Sequence, residues 1–177
     1  MNDSKWDVGR LDSGARNALK RCAGSMLGDD MKAIEAFWRA AGSVPKGCES
    51  PWFACLCMQC LWKPEAVTRI QPYEECLRNW YRDTETSDSL KSRVISLLDI
   101  PWGPDGFLLG KLCNFARRMR AADASAMPDF SKLADDLMNW NSSDHWVQRR
   151  WIRTICGNRK DDANQTAQEM EDTENAD

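Results

Sequence analysis

The chain has 177 residues, is 42% hydrophobic, and carries nine tryptophans, eight cysteines, one histidine and a net charge of −3. That is enough apolar material for one domain with a real core, and no run of about 18 apolar residues is present to cross a membrane as a helix. A single histidine leaves most nucleophile–base arrangements without their base, so no enzymatic activity is expected.

Helical spacing runs through the chain, whereas sustained apolar–polar alternation and Asn-Gly hairpin turns do not occur. The opening "MNDSKWDVGR" lacks the apolar stretch of a secretory signal. Residues 13–23 place Ala15, Ala18, Leu19 and Cys22 on one face, with Gly24 as a stop. Residues 30–41 align Met31, Ile34, Phe37, Trp38 and Ala41, capped by Asp29 or Asp30 and followed by Gly42. Ser50 and Pro51 read as a cap and first-turn pair for a helix that Pro64 ends. Its stripe is Phe53, Leu56, Cys57, Cys60 and Leu61.

Further helices are expected over 72–82, with Cys76, Leu77, Trp80 and Tyr81, and over 88–98, with Val94, Ile95, Leu97 and Leu98. "PWGPDG" at 101–106 is a break. Residues 107–121 stack Leu108, Leu112, Phe115, Ala116 and Met119. Residues 129–140 carry Phe130, Leu133, Leu137 and Trp140, and 144–156 carry Val147, Trp151 and Ile155. The fold class is therefore all-α, a bundle of about seven or eight helices over residues 1–157.

The last 20 residues, 158–177, set Arg159 and Lys160 against seven acids, a net −5 that leaves +2 on residues 1–157. This segment offers little to bury and is expected to be a disordered acidic tail.

Cys55, Cys57 and Cys60 fall within six residues. Residues two apart on a helix point about 200° away from each other, so Cys55 and Cys57 cannot grip one ion without unwinding the segment. Cys57 and Cys60 share a face, but two ligands do not complete a tetrahedral site. The reading is core packing, with no metal and no cofactor. Eight cysteines without a secretory signal indicate free thiols in a reducing compartment, and hence a cytoplasmic location.

What remains informative is the placement of cations. Arg16 and Lys20 are i, i+4 neighbours, with Arg21 beside them. Lys111, Arg117, Arg118 and Arg120 occur with no acid between Gly106 and Ala122, and Lys111 and Arg118 share a flank at i, i+7. Arg149 and Arg153 form an i, i+4 pair away from the Val147–Trp151–Ile155 stripe, flanked by Arg150. Charge runs often only solvate outer faces. Three runs with no balancing acids point toward phosphate backbones, bound without reading bases.

Several of these residues sit in longer patterns. "WDVGRLDSGARNALKRC" resembles the opening of the CasB family, the small subunit of the type I-E CRISPR Cascade complex, through Asp12, Gly14, Arg16, Leu19, Lys20 and Arg21. "SRVISLLD" resembles a central segment through Arg93, Leu97 and Leu98. "DFSKLADDLMNW" and "VQRRWIRTIC" resemble the closing pattern through Asp129, Leu133, Asp136, Leu137, Trp140, Arg150 and Trp151.

The resemblance implies an all-helical, two-part, non-catalytic subunit, present as two copies in a crRNA-guided complex. Its implied partners are the other Cascade proteins, a second copy of itself, the crRNA–target DNA duplex and the displaced non-target strand, with no membrane. Taken with the charge pattern, the candidate nucleic-acid contacts are Arg16, Lys20, Arg21, Arg93, Lys111, Arg117, Arg118, Arg149, Arg150 and Arg153. The competing readings are a helical adaptor that binds only protein and a cysteine-ligated metal or redox protein.

Overall fold

The computed structural model describes residues 5–28, 30–82 and 87–157. The acidic segment 158–177, expected to be disordered, lies outside them. Eight α-helices account for most of the described residues: α1 (Ser13–Arg21), α2 (Met31–Ala41), α3 (Glu49–Gln59), α4 (Tyr73–Arg82), α5 (Ser87–Leu98), α6 (Phe107–Ala122), α7 (Phe130–Met138) and α8 (Trp146–Cys156). The helical fold class holds, and each helix lies close to the position its periodicity predicts.

Side-chain caps fix several starts. Asp12 accepts from the Ala15 N–H at 2.8 Å, and Asp129 from the Lys132 N–H at 3.0 Å. Asp30 caps α2, accepting from the Lys32 and Ala33 N–H groups at 3.1 Å; Asp29 lies outside the described residues. These N–H donors hold the Asp12 and Asp30 carboxyls below the usual range, helped by Arg39 and Arg21 respectively. Gly24 follows α1 with φ 94°, and a Cβ there would lie 3.3 Å from the Cys113 sulfur. Only glycine is at ease with both constraints.

α3 differs from its expected form in two respects. It begins at Glu49 with Cys48 at the cap position, which puts Pro51 inside the first turn rather than at its start. It is also buried all round, not along one stripe: residues 51–58 are all buried, Cys55 included. A helix apolar on every face belongs at the centre of a domain, and α3 packs on α7, α1 and α6.

A short parallel β-pair was not expected: β1 (Arg69–Gln71) pairs with β2 (Ala126–Pro128) in the register Arg69↔Ala126, Ile70↔Met127, Gln71↔Pro128. Three residues are too few to show alternation, and Pro128 tolerates an edge only. The pair closes the long excursion through α4, α5 and α6 and is continued by Asp129 N–H donating to Gln71 O at 2.7 Å.

The core gathers around tryptophan. Trp151 stacks on Tyr73 at 5.6 Å between ring centres and meets Trp140 edge-on at 5.2 Å. Trp140 Nε1 donates to Ile100 O at 2.8 Å and Trp62 Nε1 to Ala126 O at 3.2 Å, so these buried indoles keep their polar edge satisfied.

We propose a domain boundary after Gly157, whose carbonyl accepts from Arg82 at 2.9 Å. A chain ending at Gly157 is expected to melt within about 2 °C of the full chain, the scale of a surface change. A drop of many degrees in a thermal scan would show that residues 158–177 belong to the folded unit.

Candidate nucleic-acid interface

Helices α5 and α6 form a cleft of about 370 Å³, lined by Arg93, Ser96, Leu97 and Ile100 from the first side and Lys111, Asn114, Phe115 and Arg118 from the second. Arg93, Ser96 and Ile100 lie at i, i+3 and i+7, and Lys111, Asn114 and Arg118 repeat that spacing. α6 therefore presents a polar ridge with two cations, Lys111 and Arg118, and α5 faces it with Arg93 and Ser96, with an apolar floor between. The lining contains no acid. Arg93 and Arg118 make no ion pair with a described residue, and the Lys111 ammonium sits 5.1 Å from the exposed Phe107 ring. A second hollow of about 440 Å³, beside α7, sets Lys5 and Lys132 against Asp129 and Asp135 and is balanced.

The other cations divide by what holds them. Lys20 and Arg153 are exposed and make no ion pair among the described residues. Arg21 reaches Asp30 at 3.6 Å and Arg149 reaches Asp144 at 4.0 Å, both across solvent; such pairs are worth little and exchange readily.

Three candidates are engaged by the fold, although Arg117 remains exposed. Arg16 donates to Val8 O at 3.1 Å, and Arg117 donates to Ala23 O at 3.0 Å, tying α6 to the turn after α1. Arg150 is the most fully engaged of the three. Its Nη2 lies 2.5 Å from Asp136 Oδ2, and its Nε lies 3.4 Å from Glu74 Oε1, an ion-pair distance without hydrogen-bond geometry. Asp136 also accepts from Trp151 Nε1 at 2.9 Å. Asp136 and Glu74 are each only 2% exposed, so Arg150 is the counter-ion of a buried acid pair joining α4, α7 and α8. Two of its nitrogens are thereby committed to these acids, with 31% of the side chain still exposed.

Burial pushes the Glu74 carboxyl above its ordinary value of 4.5; its own backbone N–H, Lys132 and Arg150 pull it down, and Asp136 pushes it up further. The native state then holds this proton at a pH where the unfolded chain has lost it. Glu74 therefore costs stability increasingly as pH rises from 4.5 through its native value. Urea midpoints of the protein and its Glu74→Gln variant are expected to diverge over that window, the wild type losing ground as pH rises. A gap that stays constant, or moves the other way, refutes the assignment.

The cysteine stretch is interior. Cys55 and Cys57 lie wholly within the core, where burial drives both thiols far above their usual range, and burial pushes Cys60 to about 12 despite the Arg16 charge nearby. Among the described residues no three or more His, Cys, Asp or Glu side chains are grouped to hold a metal ion. Among them also, no helix is long and apolar enough to cross a membrane.

The family profile of CRISPR-associated protein Cse2 matches residues 15–154, from the third residue of α1 almost to the end of α8. The chain belongs to the Cse2 family. Cse2 is the small subunit of type I-E Cascade, also called CasB, so this is a Cascade subunit whose partners are the other Cascade proteins. No curated protein and no solved structure matches the chain. The match takes in every helix of the bundle, including those that form the cleft. It stops before the acidic segment 158–177.

Proposed function

We propose that this Cse2-family chain is a non-catalytic subunit that steadies the R-loop through sequence-independent contacts to target and displaced DNA strands in antiviral defence. One observation carries the reading: Arg93, Lys111 and Arg118 converge on a single cleft that contains no acid. Phosphates suit such a cleft, because arginine forks engage them bidentately and lysine adds a point charge. The floor of Leu97, Ile100 and Phe115 offers unpaired bases an apolar surface, which favours a displaced strand. Lys20, Arg21, Arg149 and Arg153 add exposed cations on α1 and α8.

Such contacts need not be strong. R-loop formation exchanges one duplex for another of similar stability, so modest backbone contacts tip it. Nothing in the cleft resembles a base-reading arrangement, and specificity is left to pairing with the guide. The crRNA–target duplex, the displaced strand and a second copy of the subunit are the partners this reading includes.

The test is the lifetime of R-loops on Cascade assembled with this chain or with its R93Q/K111Q/R118Q variant. Faster dissociation with intact assembly is the expected result. An unchanged lifetime with intact assembly overturns the reading and favours a subunit that binds only protein.

A further inference from the structure

We propose that the acidic segment 158–177 is a tethered competitor that occupies the α5–α6 cleft when nucleic acid does not. The inference rests on reading that cleft as an anion site. Three observations on separate parts of the chain meet here.

The first is charge complementarity. The segment carries a net −5, with seven carboxylates and almost no apolar residues, and the cleft presents three cations and no acid. The second is where the segment starts. Gly157 O accepts from Arg82 at the end of α4, and Tyr81 beside it donates to Ile155 O. Next along α4, Trp80 packs edge-on against Phe115, 5.8 Å between ring centres, and Phe115 belongs to the cleft. The segment thus leaves the fold beside α4, the helix that packs on both walls of the cleft, α5 and α6. The third is reach. A polar chain of 20 residues spans roughly 25 Å between its ends.

A short tether of this kind holds its ligand at an effective concentration in the millimolar range. Even a weak carboxylate-for-phosphate substitute then fills the cleft for much of the time. DNA phosphates, packed more densely along a strand than these carboxylates, displace it. The consequence is discrimination: stray single strands meet an occupied cleft, whereas a strand already held by guide pairing arrives at high local concentration and wins.

Two measurements on the full chain test this. Carbodiimide coupling, which joins a carboxylate to an amine only in direct contact, is expected to link segment 158–177 to Lys111 in preference to Lys32 and Lys46, which are exposed elsewhere. The link should fade at high salt. In the second, all seven carboxylates of the segment are converted to amides, and binding of a short single-stranded DNA of arbitrary sequence is measured. Binding at low salt is expected to tighten about two- to tenfold, and the gain should vanish in the R93Q/K111Q/R118Q background.

Coupling spread evenly over Lys111, Lys32 and Lys46 overturns the proposal. So does an equal gain in both backgrounds, since that is a long-range charge effect, or no gain in either. Failure of the nucleic-acid reading has a different signature: coupling to Lys111 persists while the cleft substitutions leave DNA affinity unchanged.

Discussion

Replacing Asp136 by alanine is expected to destabilise the fold by about 3–5 kcal/mol, the cost of breaking a buried ion pair from one side. For a chain of this size that lowers the melting temperature by roughly 6–20 °C. Asp136 Oδ2 serves both Arg150 Nη2 and Trp151 Nε1. Its removal leaves a partly buried guanidinium with only Glu74, and strips the indole of its acceptor at the centre of the Tyr73–Trp151–Trp140 stack. Each orphaned group adds a desolvation penalty. Asp136→Asn keeps an acceptor while losing the charge, and is expected to cost clearly less. A D136A variant within about 1 kcal/mol of wild type by urea unfolding would show that the cluster is not a structural joint.

This cluster shows what part of the family pattern does inside the fold. Asp136, Arg150 and Trp151 are spaced along the sequence as an acid on one helix and a basic-aromatic pair on the next. Read alone, an arginine beside Arg149 and Arg153 looks like one more exposed cation. Helical periodicity places Arg150 one residue before the buried Trp151, at the edge of the stripe, where its side chain either reaches solvent or folds back. Only the presence of α4, which brings Glu74 alongside, decides between them. Arg16 and Arg117 likewise each give a donor to a backbone carbonyl, Val8 O and Ala23 O, in contacts across the fold that helical periodicity does not announce.

The helices themselves were legible because their signals are local. Asp12, Asp30 and Asp129 announce starts, Gly24 and Gly42 announce stops, and the apolar stripes carry the period. The all-round burial of α3 was legible as well, in an apolar run spanning every face, but its stripe reading stopped at half of that run. The cleft was half visible. Lys111 and Arg118 share a flank by spacing alone, and Asn114 falls between them on the same ridge. That Arg93 faces them is a fact of how α5 packs near α6, with a proline- and glycine-rich break between the two. Such a pairing has no local signature.

Removing the charges of Arg93, Lys111 and Arg118 together is expected to weaken R-loop binding on the order of tenfold at low salt. Each is a solvent-exposed ionic interaction worth about 0.2–1 kcal/mol, and three of them sum to roughly that factor. The salt dependence is the sharper reading. Each phosphate held on a single strand adds about 0.7 to the slope of log affinity against log salt, so releasing three phosphates should flatten it by about two units. The weakening should be alike for every target sequence, because the contacts proposed for the cleft are to backbone and base faces and not to base edges. R16Q/R117Q is the control: it removes two cations from helices α1 and α6 that lie outside the cleft and that each donate to a backbone carbonyl, Val8 O and Ala23 O. Its slope should stay within about half a unit of wild type, less than one phosphate's share, and its effect should appear in thermal stability instead. If the control flattens the slope as much as the cleft variant does, net charge and not the cleft is what the nucleic acid senses, and the site assigned to Arg93, Lys111 and Arg118 is wrong.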